Sequence, residues 1–422
     1  MKMKCRLKSA AALLAATSLV SPALANEGAV PKGVPRLDHV FVIMMENHGY
    51  GQIIGNPDTP FANKLAKSGN TATNYFAIGH PSSTNYLELV GGSNFGIRSD
   101  NNPDWHNTNC LTNLSTGQVN LDSPNSGSVC PIWGVGTDAQ TPPTDCSNEI
   151  TCDANHPTPI NNIDGILSIA AKTGISGKTI ADQLAEAGKS WKTYQESLPP
   201  SGADGVNFAD GFFTDSSDIA TPTGDPNAKL AKLYAAKHNP FVYFRSVQEG
   251  GLKHVAAFSG KHGLFDDLSS GDVPHFSFIA PNQCNDQHGR GIGEAGSQCD
   301  FDPNDNGTLQ GLNPALMSIG DQTLSTIVLA IKNSPAWREG RNAIVVLWDE
   351  DDYSISPTVN RVLTVVDTNY GPHGLKSNRF YTHFSLLKSL ESGFRLPCLN
   401  HACDASTGIM SDLFVADDDR DN

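Results

Sequence analysis

Two apolar runs, far apart in the chain, each empty into oxygen-bearing side chains. VFVIMM (40–45) leads into Glu46 and Asn47, and AIVVLW (343–348) leads into Asp349, Glu350, Asp351 and Asp352. Runs this continuously apolar suit strands covered on both faces, the environment of a parallel sheet. Ligands of such sheets bind just past the carboxyl ends of the strands. Oxygen donors at two neighbouring ends would frame one hard cation. The pairing also needs both halves of the chain in one sheet. It therefore favours a single large α/β domain over the two or three small ones that 422 residues would allow.

The first 25 residues read as a secretory leader. Lys2, Lys4, Arg6 and Lys8 precede an apolar stretch (10–20), and Ala23-Leu24-Ala25 offers a small-residue cleavage pattern. The expectation is a secreted or periplasmic protein with no transmembrane segment, since no other stretch reaches ~18 consecutive apolar residues. The formal net charge of −15 becomes more negative once the basic leader is gone. Nucleic acid and anionic membranes are thereby disfavoured as partners. Of nine cysteines, Cys5 leaves with the leader, and Cys110, Cys130, Cys146, Cys152, Cys284, Cys299, Cys398 and Cys403 remain. An even number in an oxidising compartment points to disulfides, with near neighbours such as Cys398–Cys403 a natural pairing.

Residues 60–68 predict a helix capped by Asp58 or Thr59. NYFAI (74–78) predicts a second strand, followed by a helix that opens near Ser82 and closes at Gly91 and Gly92. From about 99 to 162 the composition turns to Asn, Thr, Pro, Gly and Cys, the mark of a loop-rich, disulfide-containing insertion. A helix (179–187) and strand (191–194) follow, then a Gly/Asp-rich loop (201–226). KHNPFVYF (237–244) and HFSFI (275–279) read as strands, and 321–333 as an amphipathic helix before the strand at 343. Helices alternating with strands predict a mostly parallel central sheet flanked by helices. One domain over 26–415 and an acidic tail (416–422) complete the expected organisation.

Ser82, where a strand gives way to a helix, is a candidate nucleophile, because a helix N-terminus favours an anion. Ser82, Ser83 and Thr84 would equally serve as plain caps. Glu46–Asn47 reads either as a ligand pair or as a polar turn. Asp349–Glu350 reads either as a second ligand pair or as part of a solvated charge run, with Asp351 and Asp352 its solvated neighbours. Asp286 and His288 share a polar loop, where a histidine could bind phosphate, transfer a proton or simply be exposed. His383 opens a late helix and points either into the site or against the core.

Six blocks in order resemble the bacterial phosphoesterase family that groups secreted acid phosphatases with phospholipases C, within the alkaline phosphatase superfamily. They are MMENHGYGQIIGN, NYFAIGHPSSTNYLELVGG, HNPFVYF, FSFIAPNQCNDQHG, SPAWREGRNAIVVLWDED and YTHFSLLKSLES. The resemblance is nearest to the acid phosphatase branch, and it implies an alkaline-phosphatase-like fold. It also implies a divalent metal ion held by Glu46, Asn47, Asp349 and Glu350, with Ser82 as a nucleophile that becomes phosphorylated. Asn85, Asp286 and His383 then fall on phosphate-binding positions, and His288 on a phosphate-binding or acid–base position. The implied substrate is a small phosphate ester or a phospholipid. Where the family often has Leu-Pro, this chain has Ser83-Thr84, so three successive hydroxyls compete for the attacking role. A sulfatase signature would need Pro and Arg where Thr84 and Tyr86 stand. A phospholipase C-type phosphodiesterase and a non-catalytic secreted binding protein are the alternatives.

Overall fold

The computed structural model describes residues 27–95, 175, 177–198, 233–293, 295–304, 307–351 and 360–416. The expected leader, the insertion with Cys110, Cys130, Cys146 and Cys152, the loop 201–226, Asp352 and the tail beyond 416 lie outside them. The strands, in chain order, are β1 (His39–Met45), β2 (Asn70–Ala72), β3 (Tyr75–Phe76), β4 (Trp191–Gln195), β5 (Val255–Ala257), β6 (Phe276–Ala280), β7 (Asn342–Trp348), β8 (Thr364–Thr368), β9 (Lys376–Ser377) and β10 (Tyr381–Thr382). The α-helices are α1 (Tyr50–Ile53), α2 (Pro60–Ser68), α3 (Ser82–Gly91), α4 (Ile180–Glu186), α5 (Leu264–Ser270), α6 (Pro314–Asn333) and α7 (His383–Phe394).

Eight strands make one sheet in the order β5-β4-β6-β1-β7-β8-β2-β9. The run from β5 to β7 is wholly parallel, and β8 alone is inverted against its neighbours. β1 and β7 sit near the middle, as their apolar sequences require. Val40 to Met45 and Ala343 to Trp348 are all buried. Each Val, Ile, Leu, Phe and Met among them contributes roughly 1.5–3 kcal/mol of transfer free energy, so these two strands anchor the core. Two groups of helices cover the sheet: α2 and α5 pack on α6, while α3 and α4 pack on α7.

α6 begins earlier than the expected 321, because Pro314 occupies its first turn and the Asn313 side chain accepts from Ala315 N. It is long and apolar enough to cross a membrane, yet Leu316, Met317, Leu324, Ile327, Val328 and Ile331 are buried in the fold. It is a core helix. Its Asp321 caps α2 from outside, accepting from Phe61 N and Ala62 N at 2.8 Å each. Thr59, at the expected cap position, donates its hydroxyl to Ile53 O instead.

Two predicted strands are corrected. Residues 237–244 form two 3-10 turns, Ala236–His238 and Pro240–Tyr243, because Pro240 has no N–H for a ladder. The second strand expected over 74–78 shrinks to β3, which pairs with β10 in a separate two-stranded sheet.

Candidate active site

The register of β1 on β7 pairs Met45 with Trp348, so Glu46 and Asp349 leave the sheet side by side. Asp349 N donates to Met45 O at 3.0 Å, prolonging the ladder by one bond. Asn47 then turns into the left-handed region at φ 59°, which aims its own N–H at Asp349 Oδ1, 3.0 Å away. Asn tolerates that conformation better than most residues. Glu46 N is taken by Asp286 O at 2.9 Å, and this ties in the loop after β6. His48 holds the turn from behind, with Nδ1 3.0 Å from Glu46 O and Nε2 2.9 Å from Asp302 Oδ2.

α3 brings the hydroxyls. Ser82 is its first residue, and Gly92 ends it at φ 70°, where a Cβ would collide with Leu399 O. The three hydroxyls separate cleanly. Thr84 Oγ1 donates back to Pro81 O, and Ser83 Oγ lies 3.3 Å from Tyr243 OH. Ser82 Oγ lies 3.2 Å from Glu46 Oε2 and 3.0 Å from Glu350 Oε1, between the two strand ends.

Asn85 does not present its amide to an open space. Its Nδ2 donates to Gly79 O and Glu350 Oε2, and its Oδ1 accepts from Ile78 N and Gly79 N. It fastens the approach to α3 onto Glu350. His383 is likewise committed: Nε2 sits 2.7 Å from Asp349 O and Nδ1 3.0 Å from Tyr75 OH. Burial lowers its pKa to about 4, so the ring is neutral and braces Asp349 from behind.

His80 and His238 were not singled out from the sequence. His80 Nδ1 lies 3.0 Å from Glu350 Oε2, and its Nε2 lies 3.6 Å from Asp351 Oδ1. His238 stands between Glu46 Oε1 (3.0 Å from Nε2) and Asp286 Oδ2 (3.1 Å from Nδ1), stacked on Tyr86. Asp351 departs from expectation as well. It is buried, not solvated, and its N–H is held by Asn360 Oδ1. A run of acids suggests solvent, but Asp349, Glu350 and Asp351 are buried at a strand end. His238 fell inside the supposed strand 237–244, where Pro240 was the available warning. His80 lay two residues before Ser82, in the same polar approach.

Glu46, Asp286, Asp349, Glu350 and Asp351 are all buried here, and among the described residues His80 and His238 are the imidazoles within ion-pair distance of their carboxylates. Burying one ion costs several kcal/mol unless it is well paired, so this many carboxylates need added positive charge. Burial, then the neighbouring Glu46 charge, pushes Asp349 well above the carboxylate range, and burial raises Asp286 despite His238. Asp349 Oδ2 faces no hydrogen-bond donor. The His238 nitrogens are within ion-pair distance of both acids but off the hydrogen-bonding direction. Lone pairs converging in this way fit a cation. The ligand atoms of Glu46, His238 and Asp286 lie within 4.8 Å of one another. Of the residues expected to hold a metal, Glu46 joins this group, Asp349 adjoins it, Glu350 sits with Ser82, and Asn47 contributes its N–H to Asp349. Asp286, expected to bind phosphate, stands among the ligand-capable groups.

His288 lies at the rim of this cluster, its N–H bonded to Asp286 Oδ1 at 2.7 Å. Its Nε2 is 3.1 Å from Lys237 Nζ and its Nδ1 3.0 Å from Gly289 O. A lysine ammonium only donates and a carbonyl only accepts, so one tautomer, protonated on Nδ1, satisfies both.

A serine at a helix start, facing acids from two parallel strand ends, defines a class of hydrolytic α/β site. The chain belongs to the phosphoesterase family, whose model matches residues 55–299. It is 26% identical over 341 residues to the phosphate-repressible acid phosphatase of Penicillium chrysogenum, covering 80% of this chain and 54% of that protein. It therefore spans about half the length of that relative. It is 24% identical to the phosphatidylinositol-3-phosphatase of Mycobacterium tuberculosis, over 93% of this chain and 89% of that one. A solved alkaline phosphatase superfamily protein from Vibrio parahaemolyticus aligns over 88% of this chain and 69% of its own, at 12% identity and a TM-score of 0.42.

Proposed function

We propose that this protein is a metal-dependent hydrolase of phosphate monoesters that works through a phosphoserine at Ser82. The observation that carries this reading is the Ser82 hydroxyl, lying 3.2 Å from Glu46 and 3.0 Å from Glu350 at the first turn of α3. Nucleophile, proton acceptor and the positive end of a helix meet there. Ser82 Oγ bonds to phosphorus as its proton passes to one of the two carboxylates. The ester P–O bond breaks, and the leaving alcohol takes a proton from the Lys237–His288 pair. Water then attacks phosphorus, the Oγ–P bond breaks, and the serine regains its proton.

Glu46, His238, Asp286 and Asp349 are the residues that would hold a divalent cation, and such an ion supplies charge to the phosphoryl oxygens. Asn85 and His383 act as positioning groups, on Glu350 and Asp349 respectively. The two acid phosphatase and phosphoinositide phosphatase relatives support monoester chemistry. Export of the mature chain accords with the disulfides Cys284–Cys299 and Cys398–Cys403.

Ser82→Ala is expected to lower kcat on p-nitrophenyl phosphate by on the order of 10³-fold or more. Wild-type turnover by that variant would sink the nucleophile assignment. A chelator is expected to abolish activity and a divalent ion to restore it. The rival phospholipase C-type diesterase predicts faster cleavage of phosphatidylcholine than of p-nitrophenyl phosphate. A binding protein without catalysis predicts neither metal uptake nor turnover.

A further inference from the structure

The carboxyl end of β4 supplies no ligand, yet it touches the backbone behind the ligand-capable group. Gln195, its last residue, donates from Nε2 to His238 O at 3.2 Å and to Thr193 Oγ1 at 2.9 Å. Glu196, the next residue, grips the loop after β6 with both oxygens. Oε2 accepts from Asn282 N at 3.0 Å and Oε1 from Asn285 Nδ2 at 2.8 Å. Ser197 Oγ accepts from Asn282 Nδ2 at 3.0 Å. Within the loop, Asn282 O accepts from Asp286 N at 2.8 Å, so the gripped turn fixes the start of Asp286. The Asp286 carbonyl in turn accepts from Glu46 N, and its Oδ2 lies 3.1 Å from His238 Nδ1.

We infer that Glu196, with Gln195, is a positioning residue that presets Asp286 and His238 for a divalent cation. This rests on the metal-dependent reading above. A carboxylate is the apt group for the task. It accepts two hydrogen bonds side by side, and an isosteric amide must turn its NH₂ toward one of the two donors. Groups bonded directly to ligands typically change metal affinity by about 10- to 100-fold when lost, and Glu196, one link further out, belongs at the low end of that range. Glu196 reaches neither Ser82 nor any presumed ligand side chain through its described bonds, so its effect should appear in metal affinity first.

The test is calorimetric titration of Mn²⁺, and separately Zn²⁺, into the metal-stripped full chain, with its melting temperature measured alongside. Glu196→Gln is the main variant. Asn285→Ala, which removes one arm of the same grip, is the second in case the first does not fold. Both variants are expected to raise the Kd about tenfold with the metal-free melting temperature within a few degrees of wild type. Glu196→Asp should fall between them and wild type. Wild-type affinity in both variants would overturn the inference while leaving the metal reading intact. Weakened binding that merely follows a large loss of metal-free stability would overturn it too, as a structural role. No ion uptake by the wild type itself would overturn the metal reading and the inference together.

Discussion

The two ends of the central sheet use similar residues to opposite effect. At the amino end, His39, His275, Asp38, Ser190 and Asn342 cluster where β1, β4, β6 and β7 begin. There the polar groups mostly serve the backbone: His39 Nδ1 pairs with Pro274 O, Asp38 accepts from Arg341 N, and Asn342 Oδ1 accepts from His39 N. At the carboxyl end, histidines and acids face one another in a buried cluster, and Asp286 Oδ2 and Asp349 Oδ2 accept no hydrogen bond. The lesson is that residue type does not separate structural polar groups from chemical ones. What separates them is whether the chain itself satisfies them.

The largest expected effect breaks the carboxyl end directly. Glu46→Gln removes a ligand-capable oxygen and a proton acceptor for Ser82, and kcat/KM on p-nitrophenyl phosphate should fall on the order of 10³-fold. Asp351→Asn comes next, because it perturbs His80 only from 3.6 Å. We expect roughly a tenfold loss in steady-state kinetics. A result near wild type would return Asp351 to the role of bystander.

His383 sharpens the contrast through pH. Its folded pKa of about 4 lies below the ordinary histidine value of 6.5, so the unfolded chain binds the extra proton between them. The stability it contributes is complete above about 6.5 and is lost as pH falls toward 4, by roughly 3 kcal/mol in all. Urea unfolding from pH 7 to pH 4 should show this slope, and His383→Gln should flatten it. At the amino end, His275→Gln should change activity by less than about twofold, since surface-side replacements far from such features are near neutral. A large loss there would erase the distinction between the two ends.

Much of this could be read from the chain alone. β1, β7, α2 and α3 follow from apolar runs and end signals, Glu46 and Asp349 from where β1 and β7 stop, and Ser82 from where α3 starts. Periodicity could not reveal His238, because its segment is a pair of 3-10 turns and its partners Glu46 and Asp286 are remote in sequence. Asp351 runs against its local pattern: a run of four acids is usually solvated, whereas Asn360, His80 and the strand end enclose its third member. The committed hydrogen bonds of Asn85 and His383 depend on tertiary contacts that no local pattern carries.

The pairing of Met45 with Trp348 places a constraint of counting on the central strands. Side chains alternate across a sheet, so adding or deleting one residue in β1 or β7 would swing Glu46 or Asp349 to the far face. Exchanging Val for Ile within either strand would leave both acids where they are. Descendants of this chain can therefore drift in the composition of these two strands far more freely than in their length.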